Sequence, residues 1–286
     1  MDDTPRIGPV AEPIRLAGDS LILAADRYGD PNGPAVILAH GGGQSRTAWA
    51  RTARMLAGAG YHAISIDLRG HGDSDWSAQG DYHFDAYVRD FAALISRLGG
   101  SAALVGASLG GRAALLTATR HPQMVAALAL ADVTPTMDET AADDMREFFY
   151  KSAPGFTDVD AAADMLEALT PGPARRNVGR LRANLRAEGG RLYWRWDPRF
   201  VERRFVGDPD QLAMLETSAR TLTAPTIVIR AEHSTVVRAE HVDHFRALAP
   251  HVEARVALGI EHMLTGDAND AYAPLILDFF RRTYPV

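Results

Sequence analysis

The chain has 286 residues, of which 47% are hydrophobic and 23% are charged, and its formal net charge is −6. This composition is sufficient for a large folded core and excludes a fibrous or unstructured chain. The acidic balance lacks the basic surface that binding of a phosphate backbone requires, so nucleic acid is not an expected partner.

The sequence contains no cysteine, which excludes disulfides, thiolate metal sites and a cysteine nucleophile. Its first residues, MDDTPRIGPVAEP, contain no apolar stretch typical of a signal peptide. No apolar run approaches the length of about 18 residues that a membrane span needs. We therefore expect a soluble, cytoplasmic protein with no membrane partner. The sequence does not indicate an oligomeric state.

The first half of the chain alternates short apolar runs with amphipathic patterns. Strands are predicted at residues 20–27, 35–39, 63–67, 102–106 and 126–131, and helices at 47–59, 84–98 and 109–120. Strands that alternate with helices in this way form parallel sheets through right-handed crossovers. The pattern predicts an α/β fold with a mostly parallel sheet.

The alternation stops at Thr134-Pro135. From there to about Leu222 the pattern is helical, first acidic and then rich in arginine, without a run typical of a buried strand. Strand and helix patterns resume at residues 226–230, 239–248, 253–258 and 269–282. We therefore predict a core formed by residues 1–133 and 223–286, with a helical cap inserted at residues 134–222.

The segment LVGASLGGRAALL places Ser108 between Gly106 and Gly110, after a predicted strand and before a predicted helix. Serine at such a turn is held in a strained conformation that exposes its hydroxyl, and the flanking glycines let neighbouring backbone pass closely. The new helix directs its N-terminal amides at any anion formed there. The context favours a nucleophilic serine, and a tight turn of small residues is the structural alternative.

Two further segments agree with a nucleophilic Ser108. A run of three glycines at residues 41–43 follows the strand at 35–39, and His262 follows the last predicted strand in GIEHML. We predict that Gly42 and Leu109 donate N–H groups to an oxyanion, and that His262 is the general base.

The remaining histidines are interpreted as structural. His40 and His71 belong to loops, and His241 and His244 lie three residues apart on a predicted helix without a carboxylate at ligand spacing. No metal site is therefore predicted.

Together, the motifs HGGG, RGHGDS, GASLGG and EHM resemble those of the α/β-hydrolase superfamily over nearly the whole chain outside the predicted cap. The resemblance implies a mostly parallel eight-stranded sheet, flanked by helices and covered by a lid. Because the nucleophile position holds Ser108 rather than aspartate, it points away from haloalkane dehalogenases and epoxide hydrolases. It points toward acyl transfer to water.

The third member of the triad departs from the usual pattern of the superfamily. Its acid normally follows the seventh strand, where this chain has Ser234 and Thr235. We predict that Asp132, at the end of the sixth strand, replaces it, as in a minority subgroup of the superfamily. Glu232 is the alternative acid, and a purely structural capping role is the alternative for Asp132.

Aromatic residues are concentrated in the predicted cap. Phe149, Tyr193 and Trp196 are predicted to line an apolar substrate pocket, with packing of the cap onto the core as an equal alternative. Five arginines at helical spacing are expected on a solvated face, with attraction of an anionic substrate as the alternative: Arg175, Arg176, Arg180, Arg182 and Arg186.

The sequence thus predicts a serine hydrolase without a cofactor, acting on an ester, lactone or amide of a small-molecule substrate. Within enzymes, the alternatives are a C–C bond hydrolase and a cofactor-free dioxygenase on the same scaffold. A non-catalytic ligand-binding homologue is the alternative from another class, and the missing seventh-strand acid favours it.

Overall fold

The computed structural model describes residues 9–169, 181–182, 184–202, 209–260, 269 and 271–286. The strands in these residues are β1 (Glu12–Ala17), β2 (Ile22–Tyr28), β3 (Ala35–Ala39), β4 (His62–Ile66), β5 (Ala102–Ala107), β6 (Val125–Ala131), β7 (Leu185–Glu188), β8 (Arg191–Trp194), β9 (Thr226–Ala231) and β10 (Glu253–Ala257).

The helices in the same residues are α1 (Ala50–Gly58), α2 (Phe84–Arg97), α3 (Ser108–Arg120), α4 (Glu139–Ser152), α5 (Val159–Leu169), α6 (Arg199–Glu202), α7 (Pro209–Arg220), α8 (Ala239–Leu248) and α9 (Ala273–Thr283), and a 3-10 turn at Arg46–Trp49 precedes α1. None of the helices that the structure describes has both the length and the apolar character of a membrane span.

Eight strands form one sheet in the order β1-β2-β4-β3-β5-β6-β9-β10. All neighbours from β4 to β10 are parallel, whereas β2 is antiparallel to both β1 and β4. The predicted α/β fold with a mostly parallel eight-stranded sheet is therefore confirmed.

The central strands are buried on both faces. Every residue of β3, β4 and β5 is buried. Successive side chains of a strand point to opposite faces. Ile37 and Leu104 accordingly join one apolar cluster, and Val36 and Val105 join the other. Helices cover both faces, which explains why these strands read as continuous apolar runs.

Strand β1 was absent from the predicted elements. Its sequence, EPIRLA, is exposed or half-buried throughout and pairs only with β2 at the edge of the sheet. An edge strand of this kind tolerates proline and charge, so it lacks the apolar run that identified the central strands.

The segment at 134–222 differs from the helical pattern predicted for it. Besides α4, α5, α6 and α7, it contains a hairpin in which β7 and β8 pair antiparallel. Gly189 and Gly190 join the two strands with φ values of +56° and +77°, as a two-residue hairpin turn requires. Arg186 therefore lies on a strand rather than on a helix, and the predicted helical positions 175, 176 and 180 lie outside the described residues.

Backbone hydrogen bonds connect the residues that follow this hairpin to the loop that follows β4. Gly72 N–H donates to the carbonyl of Arg195 at 2.7 Å, and Asp197 N–H donates to the carbonyl of Gly70 at 2.8 Å. Arg195 also forms an ion pair with Asp73. These contacts attach the inserted segment to the sheet, while the division into a core and a cap stays a prediction.

Candidate active site

Ser108 is the first residue of α3 and directly follows β5. Its φ of +43° lies in the left-handed region, which residues with a Cβ rarely adopt. A Cβ on Gly106 would lie 2.5 Å from backbone atoms of Gly111, so α3 approaches β5 at a distance that only glycine permits. The strand, turn and helix expected around Ser108 are present.

Asp132 occupies the corresponding place after β6. Ala107 and Ala131 are register partners in the parallel strands β5 and β6. The next residues, Ser108 and Asp132, therefore leave the sheet side by side at one edge. Asp132 is buried and has a φ of +53°. Among the non-glycine residues that the structure describes, only these two and Ser20 have a positive φ.

The Asp132 carboxylate is held by the loop after β9. Ala231 N–H donates to its Oδ1 at 2.9 Å, and the Ser234 hydroxyl donates to its Oδ2 at 2.6 Å. Ser234 Oγ itself accepts hydrogen bonds from Val236 N–H at 3.2 Å and Val237 N–H at 3.0 Å. Because these two donors occupy the lone pairs of Oγ, the hydroxyl proton is directed to Asp132.

In the sequence, Ser234 stands where the usual acid of the superfamily would be. The structure shows it as a hydrogen-bond donor to the carboxylate on the neighbouring strand end. The sequence signal for this contact was the hydroxyl of Ser234, because a serine at this position can donate a hydrogen bond to an acid at the end of the adjacent strand.

Glu232, the alternative acid, has different partners. Its Oε2 accepts a hydrogen bond from Gly259 N–H at 2.8 Å and lies 3.6 Å from His233 Nε2. Its backbone N–H donates to the carbonyl of Ala257 at 3.0 Å. Glu232 therefore joins the ends of β9 and β10.

His262 belongs to residues 261–268, which lie outside the described residues. Its predicted role as general base, and its distances from Ser108 and Asp132, stay predictions.

The glycine run after β3 forms a tight turn that includes Gly42. Gln44 N–H donates to the carbonyl of Gly41 at 3.2 Å, and the Gln44 side-chain Oε1 accepts a hydrogen bond from Gly41 N–H at 3.0 Å. These two bonds fix the backbone on both sides of Gly42, the residue predicted to donate to an oxyanion.

This turn is in contact with the beginning of α3. Gly110 N–H donates to the carbonyl of His40 at 3.2 Å. A Cβ on Gly41 would lie 3.3 Å from Ser108 Cβ. The turn and the helix N-terminus, where Leu109 contributes its N–H, therefore meet at Ser108.

His40 and His71 support the same region as neutral side chains. His40 Nε2 accepts Leu68 N–H at 3.0 Å, so its proton is on Nδ1, 2.7 Å from the carbonyl of Gly41. Burial lowers the pKa of His40 to about 4 and that of His71, whose ring centroid is 5.2 Å away, to about 3. Both are uncharged at neutral pH, in agreement with a structural role.

Two of the predicted pocket residues lie beside the glycine turn. A Cβ on Gly43 would lie 3.1 Å from Phe149 Cε1 and 3.8 Å from Trp196 Nε1. The rings of Phe149 and Trp196 meet edge to face with centroids 5.6 Å apart. Trp196 Nε1 is buried and has no acceptor among the described residues. Their placement is consistent with pocket-lining residues, and that role stays a prediction.

Tyr193, the third predicted pocket residue, borders a small open depression together with Arg186, Trp194 and Trp196. The Arg186 guanidinium carbon lies 5.0 Å from the Tyr193 ring centroid. Within the described residues, no group of three or more histidine, aspartate or glutamate side chains is arranged to hold a metal ion.

The sequence pattern of the α/β-hydrolase fold family matches residues 34–268. An esterase of Mycobacterium tuberculosis is 30% identical over 255 residues, which cover 85% of this chain and 80% of that protein. The 2-(acetamidomethylene)succinate hydrolase of Mesorhizobium japonicum is 29% identical over 213 residues, which cover 71% of this chain and 72% of that protein.

Solved structures agree with these matches. The structure of an E-2-(acetamidomethylene)succinate hydrolase has a TM-score of 0.81 at 23% identity and covers 97% of this chain and 100% of that chain. A structure of the M. tuberculosis esterase has a TM-score of 0.73 at 27% identity and covers 98% and 93% of the two chains. In sequence and in fold, the chain is therefore similar to the succinate hydrolase. The chain belongs to the α/β-hydrolase family and is a hydrolase.

Proposed function

We propose that the chain is a serine hydrolase that cleaves a carboxylic ester, lactone or amide of a small organic substrate through an acyl-enzyme. The observation that carries this proposal is the pair Ser108 and Asp132, which follow register partners and both have left-handed backbone. Such strain persists where the surrounding structure holds it, and it is concentrated at functional sites. The name of the M. tuberculosis esterase supports an ester as the substrate.

In the acylation step, Ser108 Oγ attacks the substrate carbonyl carbon while His262 accepts the hydroxyl proton. The N–H groups of Gly42 and Leu109 donate to the oxyanion, and the N-terminus of α3 adds the positive end of its dipole. When the tetrahedral intermediate collapses, the bond to the leaving group breaks. His262 then gives its proton to the departing alcohol or amine.

In the deacylation step, His262 takes a proton from a water molecule, which attacks the acyl carbon. The bond to Ser108 breaks, and the proton returns to Oγ as the carboxylic acid leaves. Asp132 keeps the His262 ring in one tautomer and stabilises its charged form, while Ser234 keeps the Asp132 carboxylate in place. Phe149, Tyr193 and Trp196 line the substrate pocket. These steps need no cofactor.

The proposal is tested with a fluorophosphonate probe and a panel of p-nitrophenyl esters, lactones and N-acyl enamines. Ser108→Ala should abolish labelling and lower kcat by about 10³-fold or more, with little change in thermal stability. Ser20→Ala is the matched control, because Ser20 also has a positive φ but is exposed. It should label and turn over like the wild type.

The other outcomes separate the alternatives. Persistent labelling and turnover in Ser108→Ala would remove the nucleophile assignment. A labelled wild type that cleaves no ester, lactone or amide would point to C–C bond hydrolysis. A wild type that is neither labelled nor active on these substrates would point to a ligand-binding homologue.

A further inference from the structure

Arg112 is a buried cation that the proposed mechanism does not use. It is 8% exposed, and its Nη2 lies 2.6 Å from Met137 Sδ. In the parts of the chain that the structure describes, no oxygen atom accepts a hydrogen bond from its guanidinium. Burial lowers the pKa of Arg112 to about 10, because the charged form is removed from water and none of the described residues supplies an anion nearby.

A second buried arginine shows what a purely structural role requires. Arg69 is 1% exposed, and its Nε and Nη2 donate to the two carboxylate oxygens of Asp90 at 2.7 Å and 2.9 Å. The carbonyls of Asp81 and Asp19 accept two more of its hydrogen bonds. A buried guanidinium is normally satisfied in this way. In Arg112, by contrast, the Met137 sulfur is the only partner among the described residues, so most of the N–H donors are left for a ligand.

The position of Arg112 brings this cation close to the nucleophile. Arg112 lies one helical turn after Ser108 on α3, and residues at this spacing share one face of the helix. Long helical side chains lean toward the N-terminus of their helix, which here is the turn that contains Ser108.

The contact of Arg112 with Met137 places it at the same edge of the sheet. Met137 belongs to the segment after β6, which begins at Asp132. A Cβ on Gly111 would lie 2.7 Å from Val133 Cγ2, so this segment lies directly against α3. The guanidinium therefore lies between the first turns of α3 and the segment that begins at Asp132.

We propose that Arg112 binds a carboxylate carried by the substrate, so that the enzyme acts on esters, lactones or amides that also contain a free carboxylate. This inference rests on the proposed function, because it places that carboxylate in the pocket of Ser108. One guanidinium presents a planar fork that matches one carboxylate in two parallel hydrogen bonds and balances its single charge.

Arg112 lies one turn from Ser108 on the same helix. We therefore test the proposal with the half-ester of a short dicarboxylic acid, in which the carboxylate and the ester carbonyl are separated by a few bonds.

The test compares two matched esters. Mono-p-nitrophenyl fumarate carries a free carboxylate trans to the ester, and p-nitrophenyl crotonate has a methyl group in its place. The wild type should prefer the fumarate. Arg112→Gln should lower the ratio of kcat/KM for fumarate over crotonate by about 10–100-fold, mainly through KM, and leave crotonate within about threefold. Arg112→Lys keeps the charge, so its ratio of kcat/KM should lie between those of the wild type and Arg112→Gln.

Arg120→Gln is the control on the same helix, because Arg120 is paired with Asp85 near the helix C-terminus. It should leave the ratio unchanged. An unchanged ratio in Arg112→Gln, or an equal loss on both esters, would overturn the proposal.

Thermal stability separates binding from a structural role. Arg112→Met removes a buried charge that has no counter-ion among the described residues, so its Tm without ligand should equal or exceed that of the wild type. A clearly lower Tm, together with loss of crotonate turnover, would assign Arg112 a structural role and overturn the inference.

A binding measurement keeps this inference distinct from the proposed function. Monoethyl fumarate should raise the Tm of Ser108→Ala but not that of Ser108→Ala/Arg112→Gln. If the wild type cleaves neither ester while this difference persists, the serine hydrolase proposal fails and carboxylate binding stands. If both variants respond equally, carboxylate binding by Arg112 fails.

Discussion

The segments that follow β6 and β9 each begin with a carboxylate near the same edge of the sheet, and the structure holds the two differently. Asp132 is 3% exposed and accepts hydrogen bonds from Ala231 and Ser234. The side chain of Glu232 is 39% exposed and accepts a bond from Gly259. Asp132 is thus fixed beside Ser108, the proposed nucleophile, whereas Glu232 stabilises a loop.

In the proposed triad, the place of the acid depends on which strand end can bury and orient a carboxylate. The order of the residues along the chain matters less. Here β9 lies beside β6, so its loop can contribute a hydroxyl to the neighbouring acid. In the proposed triad, the position after β9 that usually supplies the acid therefore supports the acid after β6.

The largest expected effect contrasts the two carboxylates directly. Asp132→Asn should lower kcat by up to about 10⁴-fold at neutral pH, because the amide favours the wrong tautomer of His262. Glu232→Gln should change kcat by less than about threefold. Rates are measured on the best p-nitrophenyl ester, with thermal unfolding as the control for folding. A larger loss in Glu232→Gln than in Asp132→Asn would transfer the acid to Glu232.

A smaller effect is expected from the hydroxyl that joins the two loops. Ser234→Ala removes a hydrogen bond to a charged group, so kcat should fall by about 10–100-fold while KM stays nearly constant. Ser234→Thr keeps the hydroxyl and should retain most of the activity. Equal losses in both variants would show that the size of the side chain matters rather than its hydrogen bond.

The variants are best compared at neutral pH, because acid destabilises the fold for a separate reason. Burial lowers the pKa of His40 to about 4 and that of His71 to about 3, from an ordinary value of 6.5. Below 6.5 the unfolded chain therefore binds protons that the folded chain does not. Stability should fall as the pH is lowered, by up to about 1.4 kcal/mol per pH unit for each histidine.

Urea unfolding from neutral pH down to about pH 5 measures this slope. His71→Phe keeps a ring against Phe200, whose centroid lies 4.7 Å from that of His71, and should reduce the slope by about 1 kcal/mol per pH unit. A slope identical to that of the wild type would show that His71 does not contribute.

The sequence was most informative where burial imposes a strict pattern. The strand predicted at residues 35–39 has the observed bounds of β3, because a strand covered on both faces must be apolar throughout. The same reasoning identified the turn at Ser108 and the sheet edge at Asp132. Hairpin β7–β8 was missed because its strands are short and partly exposed, although Gly189-Gly190 was a usable turn signal.

The contacts of the site were harder to predict than its residues. The bond between Ser234 and Asp132 depends on the pairing of β6 with β9, which the sequence separates by the whole inserted segment. The sequence shows that Arg112 lies one helical turn after Ser108, but only the packed structure shows that none of the described residues supplies an anion to it. Patterns along one element predict which face it buries, and they do not specify which groups meet across elements.

The register pair Ala107 and Ala131 has a consequence for how the chain can fold and vary. Ser108 and Asp132 belong to one contiguous strand–helix–strand unit, residues 102–132, so their approach closes only a short loop of chain. An acid after β9 would instead approach Ser108 only after the whole inserted segment had been enclosed in the loop between them. With Asp132 after β6, the inserted segment can change in length or composition without altering the chain path between Ser108 and Asp132. The residues proposed to bind substrate can therefore vary while the proposed catalytic pair is preserved.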